Sequence, residues 1–595
     1  MHQSNKVMLE KLFFKMLPVQ ILIFAMGAVN TIVDGAIAGR FVDPVAVGVV
    51  GLFFPVVNLL NAISAVMLGG TAVLCGRFMG SGDMEKTNGI FSLTITFTTI
   101  LGAVLTVLSF LFPTIITGIL GASPDLSPLL ASYIRGYAIG IVPMLLAQQV
   151  SSFLQLERQT TRGYIGVATM IVSNIALDIA LVAVFKMGIW GLALATSICN
   201  WIYLFILISY YFTGRSQLSY KLQNALWDKL IEQLKIGSPG AMLVLCLAFR
   251  GIVLNRIVLS YGGEDGLSAM SAFNMSSGIF IAYCLGNGAV IRMLCSVFIG
   301  EEDKDSIKHL MKIVLTKGLA LSVAIGVIIF LLSPVLAGIF FPDTTSNVYS
   351  LTKSLFMIFS ICIPLILVCQ INTNYLQAAG HNLFINILSV FDGFISMVAA
   401  SLILAPIMGI MGIWIANPVG IILTILTVPV YLLLYWKRFP RNIDECLFMK
   451  PDFGVSDNDR LDIEIKAMDE VTNTAASVQE FCENHGVPHK PAFYSALCIE
   501  EMAGNVVLHG FTKDKASHTV NIRVVYRSDS VLLRIKDDCI PFNPKERADL
   551  ISGDDPFKNI GIRMITKLAD DVTYQNMLGL NVLTIVINHS TKKVG

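Results

Sequence analysis

Met187-Gly188-Ile189-Trp190-Gly191 is met again as Met408-Gly409-Ile410-Met411-Gly412, 221 residues further along the chain. Each copy interrupts a long apolar stretch. Two more pairs keep almost the same offset. Phe153-Leu154-Gln155 returns as Tyr375-Leu376-Gln377, at 222, and Arg77-Phe78-Met79-Gly80 returns as Val297-Phe298-Ile299-Gly300, at 220. An aspartate follows the last pair three residues on, Asp83 in one copy and Asp303 in the other. The chain is therefore built from two related halves, and the apolar stretches around the repeats set the fold.

A bilayer core takes about 20 apolar residues per helix. Such stretches lie near 16–38, 48–74, 88–112, 131–155, 163–184 and 190–212, then, after a polar segment, near 238–260, 268–298, 310–341, 350–378, 384–405 and 409–436. These are numbered spans 1 to 12. Six spans per half is an even number, so both halves enter the membrane from the same side. That is a parallel repeat with its pseudo-two-fold axis along the membrane normal, an arrangement of transporters that rock two lobes about a central cavity.

The composition divides at the same place where the spans end. Of the 595 residues, 55% are hydrophobic and 14% charged, against about 25% charged in a soluble domain. Residues 1–440 hold 24 Lys+Arg and 18 Asp+Glu; residues 441–595 hold 18 and 23. A lipid-soluble body precedes an acidic, water-soluble domain, which excludes both an ordinary soluble enzyme and a disordered chain. Lys6, Lys11, Lys15, Arg77, Lys86, Arg158, Arg162, Arg215, Lys221, Lys229, Lys235, Lys304, Lys308, Lys437 and Arg438 fall in one set of loops. Arg40, Lys186 and Lys353 fall in the opposite set. The positive-inside rule puts the first set, both termini and the polar domain on the cytoplasmic side of the cell membrane. Lys6, Lys11 and Lys15 ahead of an apolar run imitate a signal peptide, but the run contains Asp34 and leads into a second span. No Lys/Arg run of nucleic-acid type is present. The 11 cysteines form no CxxC pair and read as packing residues or reduced thiols.

Ionisable groups inside spans are costly and therefore functional candidates. Asp34 lies in span 1. Asn174 and Asp178 lie four apart in span 5, on one helical face. Two carboxylates and an amide suit a proton or Na⁺, since hard cations take oxygen ligands; the plainer reading is hydrogen bonding between helices. Asp392, near the start of span 11, is a third candidate, and Arg250, Arg256 and Arg292 are also intramembrane by these bounds. Gly80-Ser-Gly-Asp-Met-Glu85-Lys86-Thr87 imitates a phosphate loop, but it carries Glu85 where that loop needs glycine and joins two membrane helices.

Two six-helix halves, the Val33-Asp34 context, Gly80-Ser-Gly-Asp83, and Asn174-x-x-Leu-Asp178 ahead of Met-Gly-x-x-Gly resemble the multidrug and toxic compound extrusion (MATE) family over residues 10–438. The resemblance implies an antiporter that expels small organic compounds, often cationic, in exchange for H⁺ or Na⁺, with Asp34, Asn174 and Asp178 as the cation site. Span 7 departs from family members that carry an acid there: it reads Arg250-Gly-Ile-Val-Leu-Asn255-Arg256.

Behind the linker 439–457, Leu461–Ile465, Val520–Tyr526, Val531–Ile535 and Val582–Ile587 alternate as strands, and 469–485, 491–510 and 560–568 read as helices. Helices on a largely antiparallel sheet make an α+β sandwich. Glu501, Asn505 and His509 are spaced i, i+4, i+8, hence one stripe of a regular helix. With Asp537-Asp538-Cys539-Ile540-Pro541-Phe542 and Asn559-Ile560-Gly561, this order resembles the GHKL ATPases, above all the anti-sigma-factor serine kinases, over about 455–590. The resemblance implies ATP and Mg²⁺ as ligands, Glu501 as general base, Asn505 on the metal, His509 beside the nucleotide, Asp537 reading adenine and Gly561 at the phosphates. Cys539 and Asn559 stand where that family has glycine.

The expected architecture is thus an all-α polytopic body of twelve transmembrane helices in two lobes, 1–215 and 238–438, joined by 216–237 and followed by the ATPase-like domain 458–595. The expected function is a cation-coupled exporter regulated by a nucleotide-binding or serine-kinase-like domain, with the bilayer, a small organic substrate and a cytoplasmic protein as partners. Two alternatives fit the same residues. One is a membrane sensor whose kinase-like domain binds or phosphorylates a protein. The other is a flippase of a lipid-linked substrate.

Overall fold

The structure is a computed structural model that describes residues 3–37, 44–120, 124, 126–157, 159–214, 216–451, 453–511, 518, 520–539, 565, 567–577 and 580–589. Every apolar stretch read from the sequence is helical. Gln3–Ile37 covers span 1. Span 4 is a bent pair, Ser127–Ala138 and Ile141–Leu156, meeting at 42°. Nine further helices among the described residues are long and apolar enough to cross a membrane. One of them, Leu230–Gly300, contains both span 7 and span 8. Its 71 residues as one rod would reach about 105 Å, over three bilayer cores. Gly263, at φ 60° and ψ −155°, breaks it. A positive φ with extended ψ is available to glycine alone at low cost.

The repeated Met-Gly-Ile-x-Gly turns out to be a pair of equivalent joints. Gly188 (φ 59°) joins span 5 to span 6, and Gly409 (φ 63°) joins span 11 to span 12. The other repeated glycines hold the two lobes together. A methyl group on Gly80 would lie 2.1 Å from the Val297 carbonyl oxygen, and one on Gly300 would lie 2.2 Å from that of Arg77. Residues 77 and 297, like 80 and 300, are each other's equivalents in the repeat, so the contact obeys the pseudo-two-fold. One turn earlier, Gly76 meets Ser296. Small residues four apart let two helix backbones touch. Arg77 Nη2 then donates to the Ala378 oxygen across the lobes at 2.5 Å. The body is therefore closed at the end that carries the Lys/Arg-rich loops, here called the basic end.

In the polar domain a five-stranded sheet has the order β1-β2-β3-β5-β4, from Arg460–Ile465, Val520–Tyr526, Ser530–Asp537, Asp571–Met577 and Leu580–Asn588, with every neighbouring pair antiparallel. Helices Asp469–Asn484 and His489–Asn505 cover one face. Ile522, Val524, Leu533, Ile535 and Ile585 point into that shared core with Val471, Ile499 and Met502. The alternate residues, Arg523, Arg534 and Lys536, belong to the other face.

Candidate functional sites

Asn174 and Asp178 lie in the last turns of Thr160–Asp178, and both are buried. Burying an amide without a hydrogen bond is unfavourable, yet the Asn174 oxygen and nitrogen have no partner among the described residues. A turn of π-helix, Ile179–Val184, follows Asp178 directly. Asp392 lies inside a second such turn, Phe391–Ile395. One extra residue in a turn re-aims the side chains beside it, and such turns are frequent at functional sites. Span 1 packs against this helix, but the side chain of Asp34 lies outside the described residues. A buried carboxylate beside an amide without a partner is a donor set suited to a proton or a hard cation.

In the other lobe Arg250 Nη1 donates to the Asp392 carbonyl oxygen at 3.3 Å. Asp392 is thus within a helix rather than at a helix end. Arg292 Nη1 donates to Asn374 Oδ1 and Gln377 Oε1, both at 3.3 Å, tying span 8 to span 10. Arg256 is exposed on the body's surface.

In the polar domain Glu501 and Asn505 are half-buried on the second helix. The stripe expected to continue to His509 ends there. Val506–Gly510 is a π turn, which rotates the positions after it, and His509 is exposed. Asp537 ends β3 and is buried. Its Oδ1 accepts from the Cys539 amide at 2.9 Å and from Asn581 Nδ2 at 2.6 Å. Burial raises its carboxyl above the ordinary carboxylate range against those two hydrogen bonds, with Asp538 adding to the rise. Gly561 and Asn559 lie outside the described residues. A methyl on Gly510 would lie 3.1 Å from Cys539 Cβ, so the cysteine that replaces the family's glycine is packed against a glycine that makes room for it.

Asn581 and Asn576 were not singled out in the sequence. Asn581 Nδ2 also donates to the Cys539 oxygen at 3.1 Å, and Asn581 Oδ1 accepts from Asn576 Nδ2 at 2.7 Å. The only sequence signal is a polar residue at a buried strand position. Asn576 N then donates to Gln217 Oε1, in the segment between the lobes, at 2.9 Å. The Gln217 and Leu218 amides and the Ser216 hydroxyl donate to Glu157, just past span 4, at 2.5, 3.2 and 2.9 Å. Burial pushes the Glu157 carboxyl from 4.5 up to about 7, against those donors. A folded value above the unfolded one means stability that is full below 4.5 and lost as pH rises through about 7. The wild-type melting temperature should therefore fall between about pH 5 and pH 8 relative to Glu157→Gln, which stays neutral. Parallel melting curves for the two proteins would remove Glu157 as a titrating group.

Residues 20–180 and 239–402 match the family model described as MatE, and residues 466–587 match that of the histidine kinase-like ATPase domain. The chain is 24% identical over 427 residues to the probable multidrug resistance protein YoeA of Bacillus subtilis, covering 69% of this chain and 90% of that one. It is 23% identical over 379 residues to the multidrug export protein MepA of Staphylococcus saprophyticus, covering 62% and 82%. Among solved structures, a MOP superfamily transporter from Pyrococcus furiosus superposes with a TM-score of 0.65 at 19% identity, over 70% of this chain and 94% of that one. A mutant of the Vibrio cholerae MATE transporter VcmN gives 0.67 at 18%, over 73% and 98%. These similarities cover the membrane body and share its fold.

Proposed function

We propose that this chain, which belongs to the MatE family and carries a histidine kinase-like ATPase domain behind its membrane body, exports small organic compounds across the cell membrane in exchange for H⁺ or Na⁺. The observation that carries this reading is the buried Asn174–Asp178 pair in a membrane lobe, whose Asn174 amide has no partner among the described residues. Asp34, Asn174 and Asp178 would bind the coupling cation. The names of YoeA and MepA, multidrug resistance and export proteins, support an organic substrate. Coupling needs a cation that prefers one lobe arrangement to the other, because a ligand shifts an equilibrium only by its differential affinity. The basic end, closed in this conformation, faces the cytoplasm, as do both termini. Arg250 in span 7, donating to Asp392, favours substrates that are not purely cationic.

The lobes run over 1–215 and 238–438, with the segment 216–237 between them, and the linker 439–457 leads to the ATPase-like domain 458–595. That domain regulates transport by binding ATP·Mg²⁺. Asn505 would hold the metal, Glu501 would act as base in any phosphoryl transfer, Asp537 would read adenine, and Gly561 with His509 would stand at the phosphates. Half-burial of Glu501 and Asn505 one helical turn apart supports the assignment.

The transport reading is tested in proteoliposomes loaded with a fluorescent organic cation or, in a parallel set, a fluorescent zwitterion, and given an inward H⁺ or Na⁺ gradient. One gradient should drive efflux; efflux under neither would overturn the reading. For the nucleotide, calorimetry on the full-length protein should give ATP·Mg²⁺ binding that Asn505→Ala reduces by about tenfold or more, the loss of one charge-assisted metal ligand. Equal binding by both proteins would remove Asn505 as the metal ligand.

A further inference from the structure

The two repeated loops differ in one respect. Gly80-Ser81-Gly82-Asp83 in the first half corresponds to Gly300-Glu301-Glu302-Asp303 in the second. The aspartate does the same local work in both, accepting the Lys86 amide at 3.0 Å and the Ser306 amide at 3.1 Å at a helix start. The two glutamates have no counterpart, and they lie where the polar domain meets the body. Lys536 Nζ pairs with Glu301 Oε2 at 2.6 Å, and Arg523 Nη1 with Asp303 Oδ2 at 3.0 Å. Arg460 Nη2 pairs with Asp305 at 2.6 Å. Glu301 and Asp303 keep only 2% of their side-chain surface. Burial alone would raise the Asp303 carboxyl; Arg523, Lys536 and Ser306 overrule it and hold it well below the ordinary range. Val582, on the same sheet face, is buried in one apolar cluster with Leu9 and Phe298 of the body. This is the face that a helix-on-sheet sandwich leaves open, and the transporter covers it.

The contact with the first lobe is of another kind. It includes the Asn576–Gln217 hydrogen bond, passed on by the Gln217 backbone to Glu157, a weak donation from Asn521 Nδ2 to Met8 Sδ at 3.9 Å, and the apolar cluster that Val582 shares with Leu9. It is also the contact wired to the nucleotide site, since Asn576 is held by Asn581, and Asn581 by Asp537. A base whose amino group donates to Asp537 shares the carboxylate that Asn581 Nδ2 holds through Oδ1, and so competes with that hold.

We propose that the outer sheet face of the ATPase-like domain is a clasp across both lobes at their closed end, fastened to the second lobe by ion pairs and latched to the first through Gln217, and that a nucleotide at Asp537 releases the latch. This rests on the reading of the domain as nucleotide-binding and adds what the nucleotide controls. With the latch shut, the lobes cannot part at the basic end without tearing one contact. With it released, the domain stays fastened to the second lobe and holds the first only through the packing at Met8 and Leu9, so the body opens more readily.

Hydrogen–deuterium exchange on the full-length protein in nanodiscs tests each part. Residues 216–222 and 299–306 should both exchange about tenfold faster in Arg523→Glu/Lys536→Glu, because the buried acids then meet like charges. The charge swap Lys536→Glu/Glu301→Lys should restore much of the protection, which a variant that merely misfolds would not. Gln217→Ala should release 216–222 alone. ATP·Mg²⁺ added to the wild type should do the same, about threefold or more, and leave 299–306 protected. Unchanged exchange in the double variant would overturn the clasp. Unchanged exchange at 216–222 with nucleotide, whether calorimetry shows binding or not, would overturn the latch. Gradient-driven efflux is measured separately, so its absence would strike the transport reading and leave the clasp standing.

Discussion

Gly80→Ala combined with Gly300→Ala should abolish transport while leaving both lobes folded. Each new methyl would stand 2.1–2.2 Å from a backbone carbonyl oxygen of the opposite lobe. A rotamer change cannot relieve a clash between a Cβ and a backbone, so the helices must separate. Overpacking of this kind costs about 1–3 kcal/mol per site. At about 2 kcal/mol for each, the ratio of closed to open bodies falls roughly a thousandfold. A cycle that must pass through the closed arrangement then stalls. The check is dye efflux together with hydrogen exchange at 76–81 and 296–300, which should lose protection most in the double variant and less so in either single one. Gly118→Ala and Gly338→Ala are the controls, because a methyl there meets nothing within 4 Å. They should transport normally. Full efflux with unchanged protection in the double variant would mean that this glycine contact does not set the closed state.

That prediction also shows how far the sequence could be read. The equivalence of Gly80 with Gly300 was visible as a repeat, but a repeat says only that two halves look alike. It does not say that the halves meet through those residues, since that depends on how two lobes sit across a two-fold axis. The joints at Gly188 and Gly409 were legible for a local reason: an apolar run interrupted by glycine must turn. Spans 7 and 8 were read as separate, near 238–260 and 268–298, and the break at Gly263 falls in the gap between them, although the helix is nearly continuous across it.

In the polar domain, local spacing placed Glu501, Asn505 and Asp537 correctly on a helix and a strand end, because those assignments need only period and composition. His509 was misplaced on the stripe because a π turn leaves no mark in a hydrophobic pattern. Asn581 was invisible, since its partner Asp537 is 44 positions away and on another strand. Arg523, Arg534 and Lys536 were legible as the polar face of an antiparallel sheet, and such faces are ordinarily solvated. Nothing in the strand could announce that acidic partners stand more than 200 residues upstream.

The second large effect is expected at Asp178. Asp178→Asn keeps the size and the hydrogen-bonding reach of the side chain and removes its charge. If the carboxylate holds a coupling cation, losing a charged ligand costs about 1.5–3 kcal/mol, which is about 10- to 100-fold in cation affinity. Gradient-driven efflux should fall by a similar factor at limiting cation and recover in part at high cation. Stability should change little. Removing the charge relieves the cost of keeping it in a fully buried site, which offsets the stronger bonds of a carboxylate, so the cation-free variant should melt near the wild-type temperature. A helix-tying role predicts the opposite pair of results, with efflux preserved and melting lowered by the weaker hydrogen bonds of a neutral amide. Asn174→Ala separates the two roles further. Its amide makes no hydrogen bond to the described residues, so truncation should cost little stability by way of lost bonds, whereas a cation ligand lost there should lower efflux about tenfold. Efflux equal to wild type in both variants would take the coupling site away from span 5.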